Sequence, residues 1–391
     1  MQINIFVLCD QDLHETEAGG SRTVIMVNNF LAAQDGITVY SSYKHLSPVD
    51  HRIIEIPITS NFTKEAINGI INKYKIDILL IPEGGKYAHL GRMAVNGTNC
   101  KLITEFHTKP GYEVHCLWYD AFHYLFRKDI NLKKRVYSAV KFVSFPIYVV
   151  YVKLKNLKRL QQAYYDADRL IVLCTLYINE YKNKYFIKKS QKIAAIENAL
   201  SFGREINSDE FIKKNNTILI VSRLEERSKR LSIVFKLWSK ICNKYPNWNM
   251  EIVGSGIDEQ FYRKMVLKLK LKNIEFCGRM DPENYYTKAS IFLMTSAYEG
   301  WPMTLTEAMQ KGCVPVCMDS FGAVHEIIND KIDGFIVPDK NIKDLTEKTE
   351  YLIKNAEIRK SMAFSGIGNS RRFSMDDIGP KWIALFQQVL S

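Results

Sequence analysis

The chain has no low-complexity tract and no short internal repeat. Its eight cysteines, Cys9, Cys100, Cys116, Cys174, Cys242, Cys277, Cys313 and Cys317, are scattered, and the closest two, Cys313 and Cys317, still have three residues between them. That scatter argues against a disulfide framework and against a zinc site, and it suits a reducing compartment. The opening MQINIFVLCDQD lacks a basic leader before its short apolar run, so it reads as a first strand, and a cytoplasmic location is the expectation. The apolar run FPIYVVYV, residues 145–152, is far short of the roughly 20 residues that cross a bilayer. Acidic residues are scarce between Arg127 and Arg159, where ten Lys or Arg stand against Asp129 alone.

What is present is a folded, globular balance: 391 residues, 47% hydrophobic and 25% charged, enough for two domains of ordinary size. The net charge of +12 calls for an acidic partner, whether nucleic acid, an anionic membrane or a phosphorylated small molecule.

Short apolar runs alternate with helical patterns along the chain. Ile3–Leu8, ITVYSS, IDILLIP, KLITEFH, DRLIVLC and KIAAIEN predict strands of a first parallel sheet, with a helix from SRTVIMVNNFLAAQ after a loop ending at Gly19-Gly20. Residues 111–165 read as a long helical insertion. The polar GREINSDEFIKKNN marks a boundary, after which TILIVS, NMEIVGSG, NIEFCG, SIFLMTS, VPVCMD and GFIVP predict a second sheet. The expected domains are 1–205 with a C-terminal helix, 374–391, packing back on it, and 206–373. Both are doubly wound α/β, with a ligand cleft beyond the carboxyl ends of the strands.

The stretch YEGWPMTLTEAM, 298–309, carries the chemistry. Pro302 suits a first helical position, so MTLTEAMQKG predicts a helix whose N-terminal amides favour phosphate oxygens. Glu299 lies outside that terminus, and Glu307 lies about a turn and a half inside it, expected to reach past the tip. Two carboxylates beside an anion site make sense if they accept hydrogen bonds from sugar diols, which is the shape of a nucleotide sugar. The plainer alternative leaves Glu299 solvated and Glu307 a mid-helix residue helped by the dipole. Arg223 and Lys229 in RLEERSK follow a strand and offer counter-charges for a diphosphate.

Taken together, GGSR, IENAL, VSRLEERSKR, EIVGSG, FCGRM, YEGWPMTLTEAMQKGCVPV and FSMDDIGPKWIALFQ resemble glycosyltransferase family 4, retaining group 1 enzymes of GT-B fold, over most of the chain. The resemblance implies that Glu307 binds ribose hydroxyls and Glu299 the transferred sugar. It also implies that Arg223 and Lys229 hold the β-phosphate with amides of Gly300, Trp301, Pro302, Met303 and Thr304, although Pro302 has no N–H to give. Gly19 and Gly20 would close on the diphosphate, Arg279 and Met280 would edge the base, and His107 would face the sugar. The donor implied is a nucleotide sugar, a UDP-sugar ahead of a GDP-sugar, with no metal and no other cofactor. The departing phosphate would take the acceptor's proton on the same face, preserving anomeric configuration. The sequence departs from the family at Gly322-Ala323, where two glycines are usual, and at Lys229-Arg230, where Lys-Gly is common, while Arg227 competes with Lys229 for the phosphate. The pairs Asp10/Asp12 and Asp166/Asp168 resemble metal-binding carboxylates but are read as chance.

The partners expected are a saccharide or polyprenyl-linked acceptor and, through residues 127–159, an anionic membrane surface. The alternative for that segment is a solvated helix pair with FPIYVVYV packed inside. Rival functions are a nucleotide-sugar epimerase or phosphorylase of the same fold and, from another class, a basic nucleic-acid-binding protein. For the last the sequence offers no recognition helix or aromatic sheet, so no nucleic-acid partner is expected.

Overall fold

A computed structural model of the chain describes residues 2–9, 19–42, 52–56, 62–113, 117 and 132–391. These divide into two compact units, one of residues 1–111, 151–201 and 373–391, the other of 112–150 and 202–372.

The first unit is built on seven strands: β1 (Ile3–Val7), β2 (Ile37–Ser41), β3 (Ile54–Glu55), β4 (Ile78–Ile81), β5 (Lys101–Phe106), β6 (Arg169–Val172) and β7 (Ile193–Ala195). They pair in parallel in the order β3-β2-β1-β4-β5-β6-β7, with Ile5 opposite both Val39 and Ile78. Parallel strands covered on both faces read as unbroken apolar runs, and β1 shows the period of two: Ile5 and Val7 enter one core while Phe6 and Leu8 enter the other. The first core includes Val24, Ile25 and Leu31 of the Gly19–Ala32 helix and Ile378, Trp382 and Phe386 of the Met375–Leu390 helix. A side chain of this size contributes roughly 1.5–3 kcal/mol when fully buried, so that last helix is integral to the unit, as the sequence led us to expect. Gly379 allows the close approach, because a Cβ there would stand 2.2 Å from the Phe30 ring.

The second unit carries β8 (Thr217–Val221), β9 (Asn249–Val253), β10 (Ile274–Gly278), β11 (Ile291–Met294), β12 (Val314–Asp319) and β13 (Phe335–Pro338). They form a parallel sheet in the order β10-β9-β8-β11-β12-β13. Its core is filled by Trp238, Phe235, Tyr262 and the apolar residues of β8, β9, β11 and β12.

The local differences from the expected elements have physical causes. Gly19 and Gly20 begin a helix instead of ending a loop. The polar boundary segment contains a helix, Ser208–Ile212, nucleated by a capping box: Asn207 accepts from the Glu210 amide and the Glu210 carboxylate accepts from the Asn207 amide. The Arg204 guanidinium holds that carboxyl down at about 2 by a two-pronged hydrogen bond, aided by the Asn207 amide. The edge strand β3, two residues long, was too short to give a sequence signal.

Candidate functional site

In the second unit the carboxyl ends of β8, β9 and β10 are stitched together by backbone bonds, Ser222 N–H to Val253 O at 3.0 Å and Gly254 N–H to Gly278 O at 2.7 Å. Gly254 has φ +136°, and a Cβ there would lie 1.9 Å from Ser222 O. Only glycine lets VGSG approach the turn after β8 that closely.

That turn carries the cationic residues. Arg223 follows β8 directly and is exposed, and the Glu226–Lys229 turn follows it. Glu226, which the sequence reading did not single out, anchors the turn from inside. Its carboxylate is buried and accepts from the Tyr262 hydroxyl at 2.9 Å, the Ser232 amide at 3.1 Å and the Ser232 hydroxyl, while its own amide donates to Asp258 at 2.7 Å. Burial pushes the Glu226 carboxyl up against the lowering effect of those bonds. Asp258 and Tyr262 lie some thirty residues downstream, so no local spacing could have revealed the anchor.

Arg230 explains the departure from Lys-Gly. It adopts φ 53° and ψ 43°, the left-handed region where glycine costs nothing and arginine is uncommon. Its guanidinium offsets that cost by donating to Thr295 O at 2.7 Å, Ser296 O at 2.6 Å and Asp339 at 2.7 Å. Ala297 N–H to Ser228 O at 2.7 Å and Thr295 Oγ1 to Lys229 O at 2.9 Å complete the seam between this turn and the end of β11.

The seam brings Lys229 to Glu299: Nζ and Oε1 are 2.5 Å apart, with both side chains mostly buried. Arg227 pairs instead with Glu225 at 3.0 Å, so Lys229 is the basic residue held at the YEGWP corner. Pro302 sits at the N-cap of the Met303–Gln310 helix, one position before the expected one, with φ −78° and ψ 89°, and its own side chain makes no capping hydrogen bond. A helix end without a side-chain cap presents amides and the positive end of its dipole. Gly300 and Thr304 are partly exposed, whereas Trp301, Pro302 and Met303 are buried.

Glu307 is turned into the structure instead of reaching past the helix tip. It is 2% exposed and accepts from the hydroxyl of the fully buried Tyr286 at 3.0 Å. Both acids are therefore held, neither standing in bulk water, and an ionised carboxylate is a pure acceptor suited to hydroxyl donors. Arg279 and Met280 follow β10 on the surface, beyond Gly278 at φ +72°. His325 pairs with Asp319 at 2.8 Å beside Gly322-Ala323.

The remaining candidates lie in the first unit. Gly19 and Gly20 form the first residues of their helix, and a Cβ on Gly20 would meet nothing within 4 Å. His107 follows β5, with Nε2 3.1 Å from the buried Glu105 carboxylate. Burial lowers the imidazole's pKa, but the Glu105 charge and hydrogen bond, with Glu83 behind them, outweigh it and raise the net value above 6.5. This pair therefore stabilises fully at pH below the ordinary histidine value, and that stabilisation is lost as pH rises through the raised one. Proton NMR of His107 is expected to show a midpoint above 6.5, falling below it in Glu105→Gln; an unshifted wild-type midpoint would remove the pairing. Asp168 is structural, accepting from the Leu102 amide at 2.7 Å and pairing with Arg92 at 2.9 Å, and Asp166 lies 3.1 Å from His89. Asp10 and Asp12 lie outside the described residues.

With this geometry in place, the comparisons are informative. Residues 201–367 match the family model of glycosyl transferases group 1. An uncharacterized glycosyltransferase of Haemophilus influenzae is 30% identical over 171 residues, covering 43% of this chain and 48% of that protein. A Campylobacter jejuni GalNAc-alpha-(1->4)-GalNAc-alpha-(1->3)-diNAcBac-PP-undecaprenol alpha-1,4-N-acetyl-D-galactosaminyltransferase is 23% identical over 206 residues, 52% of this chain and 57% of that protein. The matches thus span about half the length of these relatives. The crystal structure of Anabaena HepE in complex with UDP and glucose superposes with a TM-score of 0.70 at 14% identity, covering 99% of this chain and 100% of that one. The resemblance to group 1 glycosyltransferases holds over the greater part of the second unit, and the chain has the GT-B fold of two Rossmann-like domains.

Proposed function

We propose that the protein is a retaining glycosyltransferase of family 4. It moves a hexose-type sugar from a nucleotide sugar, a UDP-sugar ahead of a GDP-sugar, to a saccharide or polyprenyl-linked acceptor in glycan or polysaccharide assembly. The observation that carries this reading is the Lys229–Glu299 pair, 2.5 Å long, at a corner leading into a helix N-terminus, with Glu307 buried in the same helix. Paired in this way, the two charges satisfy one another. A diphosphate at the corner offers Lys229 a stronger anion and frees the Glu299 carboxylate for sugar hydroxyls, so one exchange of partners serves both halves of the donor. Arg223 supplies a second cation from the end of β8, and amides of the Met303–Gln310 helix add fixed dipoles. Charge that grows on a leaving diphosphate is thereby stabilised by preorganised groups. The Campylobacter relative, named for an undecaprenol-linked glycan, supports the acceptor class, and the Anabaena structure in complex with UDP and glucose is consistent with the donor class.

The test is a thermal-shift screen of uridine, guanosine and cytidine diphosphate sugars, followed by product analysis with a polyprenyl-diphosphate saccharide. The expected result is a raised melting temperature with a uridine donor, nucleotide released only when acceptor is present, retained anomeric configuration, and transfer that survives EDTA. An altered donor sugar without transfer would instead establish the epimerase, and no shift with any donor would sink the reading.

A further inference from the structure

The basic insertion displays an inverted surface. Along the Leu132–Val143 helix, Leu132, Val136, Val140 and Val143 fall on one stripe and are 72%, 54%, 61% and 83% exposed. The Phe145–Asp166 helix repeats the pattern at i, i+3, i+4 and i+7, with Ile147, Val150, Tyr151 and Leu154 at 78%, 55%, 59% and 57%. A helix facing water carries polar residues on that side, and FPIYVVYV is not packed inside as the solvated alternative required. Apolar exposure repeated on two successive helices marks an interaction surface.

Charge and side-chain type indicate the occupant. Residues 132–159 contain eight Lys or Arg and no Asp or Glu. Lys133, Arg135, Lys153, Lys155 and Lys158 belong to the same helices as the apolar stripe, and Lys141 Nζ lies over the rings of Tyr137 and Tyr148 at 4.4 and 5.1 Å. Aliphatic side chains flanked by lysine and tyrosine suit the boundary between acyl chains and anionic headgroups. Among the described residues no single helix is long and apolar enough to cross a membrane, and the two helices are bent by 88°. The first, with 12 residues, is roughly 18 Å long, short of the ~30 Å hydrocarbon core.

We propose that these two helices lie in the interfacial plane of an anionic lipid bilayer, with Val143 and Ile147 inserted at the bend and the flanking cations on the headgroups. Flotation of the full chain with vesicles of phosphatidylcholine alone, or mixed with phosphatidylglycerol, tests this. The wild type is expected to float with the anionic vesicles at low salt, and to float weakly with the neutral ones. Val143→Asp combined with Ile147→Asp is expected to lower the bound fraction at least ~10-fold while the melting temperature holds, since both side chains are exposed. Lys133→Glu combined with Arg135→Glu is expected to weaken binding to the anionic vesicles in particular. Failure of the wild type to float at low salt, equal flotation of wild type and the aspartate variant, or equal binding to both lipids would overturn the proposal. A wild-type dimer in light scattering that the aspartate variant breaks, with neither floating, would reassign the face to self-association.

Discussion

Glu307→Gln is expected to lower transfer on the order of 10²-fold or more while leaving the melting temperature within a few degrees of wild type. Glutamine keeps an amide oxygen for the Tyr286 hydroxyl, so the buried donor at 3.0 Å stays satisfied. It also replaces a charged acceptor by a neutral amide, which forfeits the pair of charge-assisted hydrogen bonds that a carboxylate accepts from a diol. Alanine is the coarser probe, because it removes the acceptor of the buried Tyr286 hydroxyl, a hydrogen bond to a charged group worth roughly 1.5–3 kcal/mol, and so mixes instability with lost contact. Comparing the two separates the roles: transfer lost in both with stability lost only in alanine assigns Glu307 to the donor. Near-normal turnover in the glutamine variant would mean that the carboxylate serves the fold alone.

The second large effect is expected at Lys229. Lys229→Met removes a cation from the proposed leaving-group corner and takes the Lys229 ammonium away from the mostly buried Glu299 carboxylate, so it should cost both stability and about 10²-fold or more in transfer. Adding Glu299→Gln removes the negative charge that has lost its cation. The double variant is therefore expected to regain its melting temperature and still fail to transfer, with kcat falling more than KM rises if the charge acts mainly in the transition state. Recovery of activity along with stability would show that the ion pair is structural and that the diphosphate is neutralised elsewhere.

Much of this molecule was legible in the sequence because parallel strands covered on both sides must be apolar throughout. Ile78–Ile81 and Ile291–Met294 are each buried along their whole length, and such runs separated by helical patterns leave few other topologies. The positions of Glu299, Lys229 and the helix after Pro302 were legible for a related reason, since strand ends sit beside turn residues that punctuate the pattern. What escaped depends on distance in the chain or on backbone angles. The role of Arg230 follows from a left-handed φ and from carbonyls some 65 residues away. Glu226 owes its burial to Tyr262 and Ser232. The inward turn of Glu307 depends on Tyr286 of another helix, which periodicity does not report. The capping box at Asn207 and Glu210 was present in the sequence, but the surrounding polarity masked it.

The Met375–Leu390 helix has a consequence for biogenesis. Translation supplies residues 2–201 long before Ile378, Trp382 and Phe386 emerge, so the core that the Gly19–Ala32 helix covers in part stays incomplete while the second unit is still being made. A nascent chain in that state offers an incompletely covered apolar core to chaperones and to neighbouring polysomes. A stop codon just before residue 375 would leave an aggregation-prone product even if every residue of the second unit were intact.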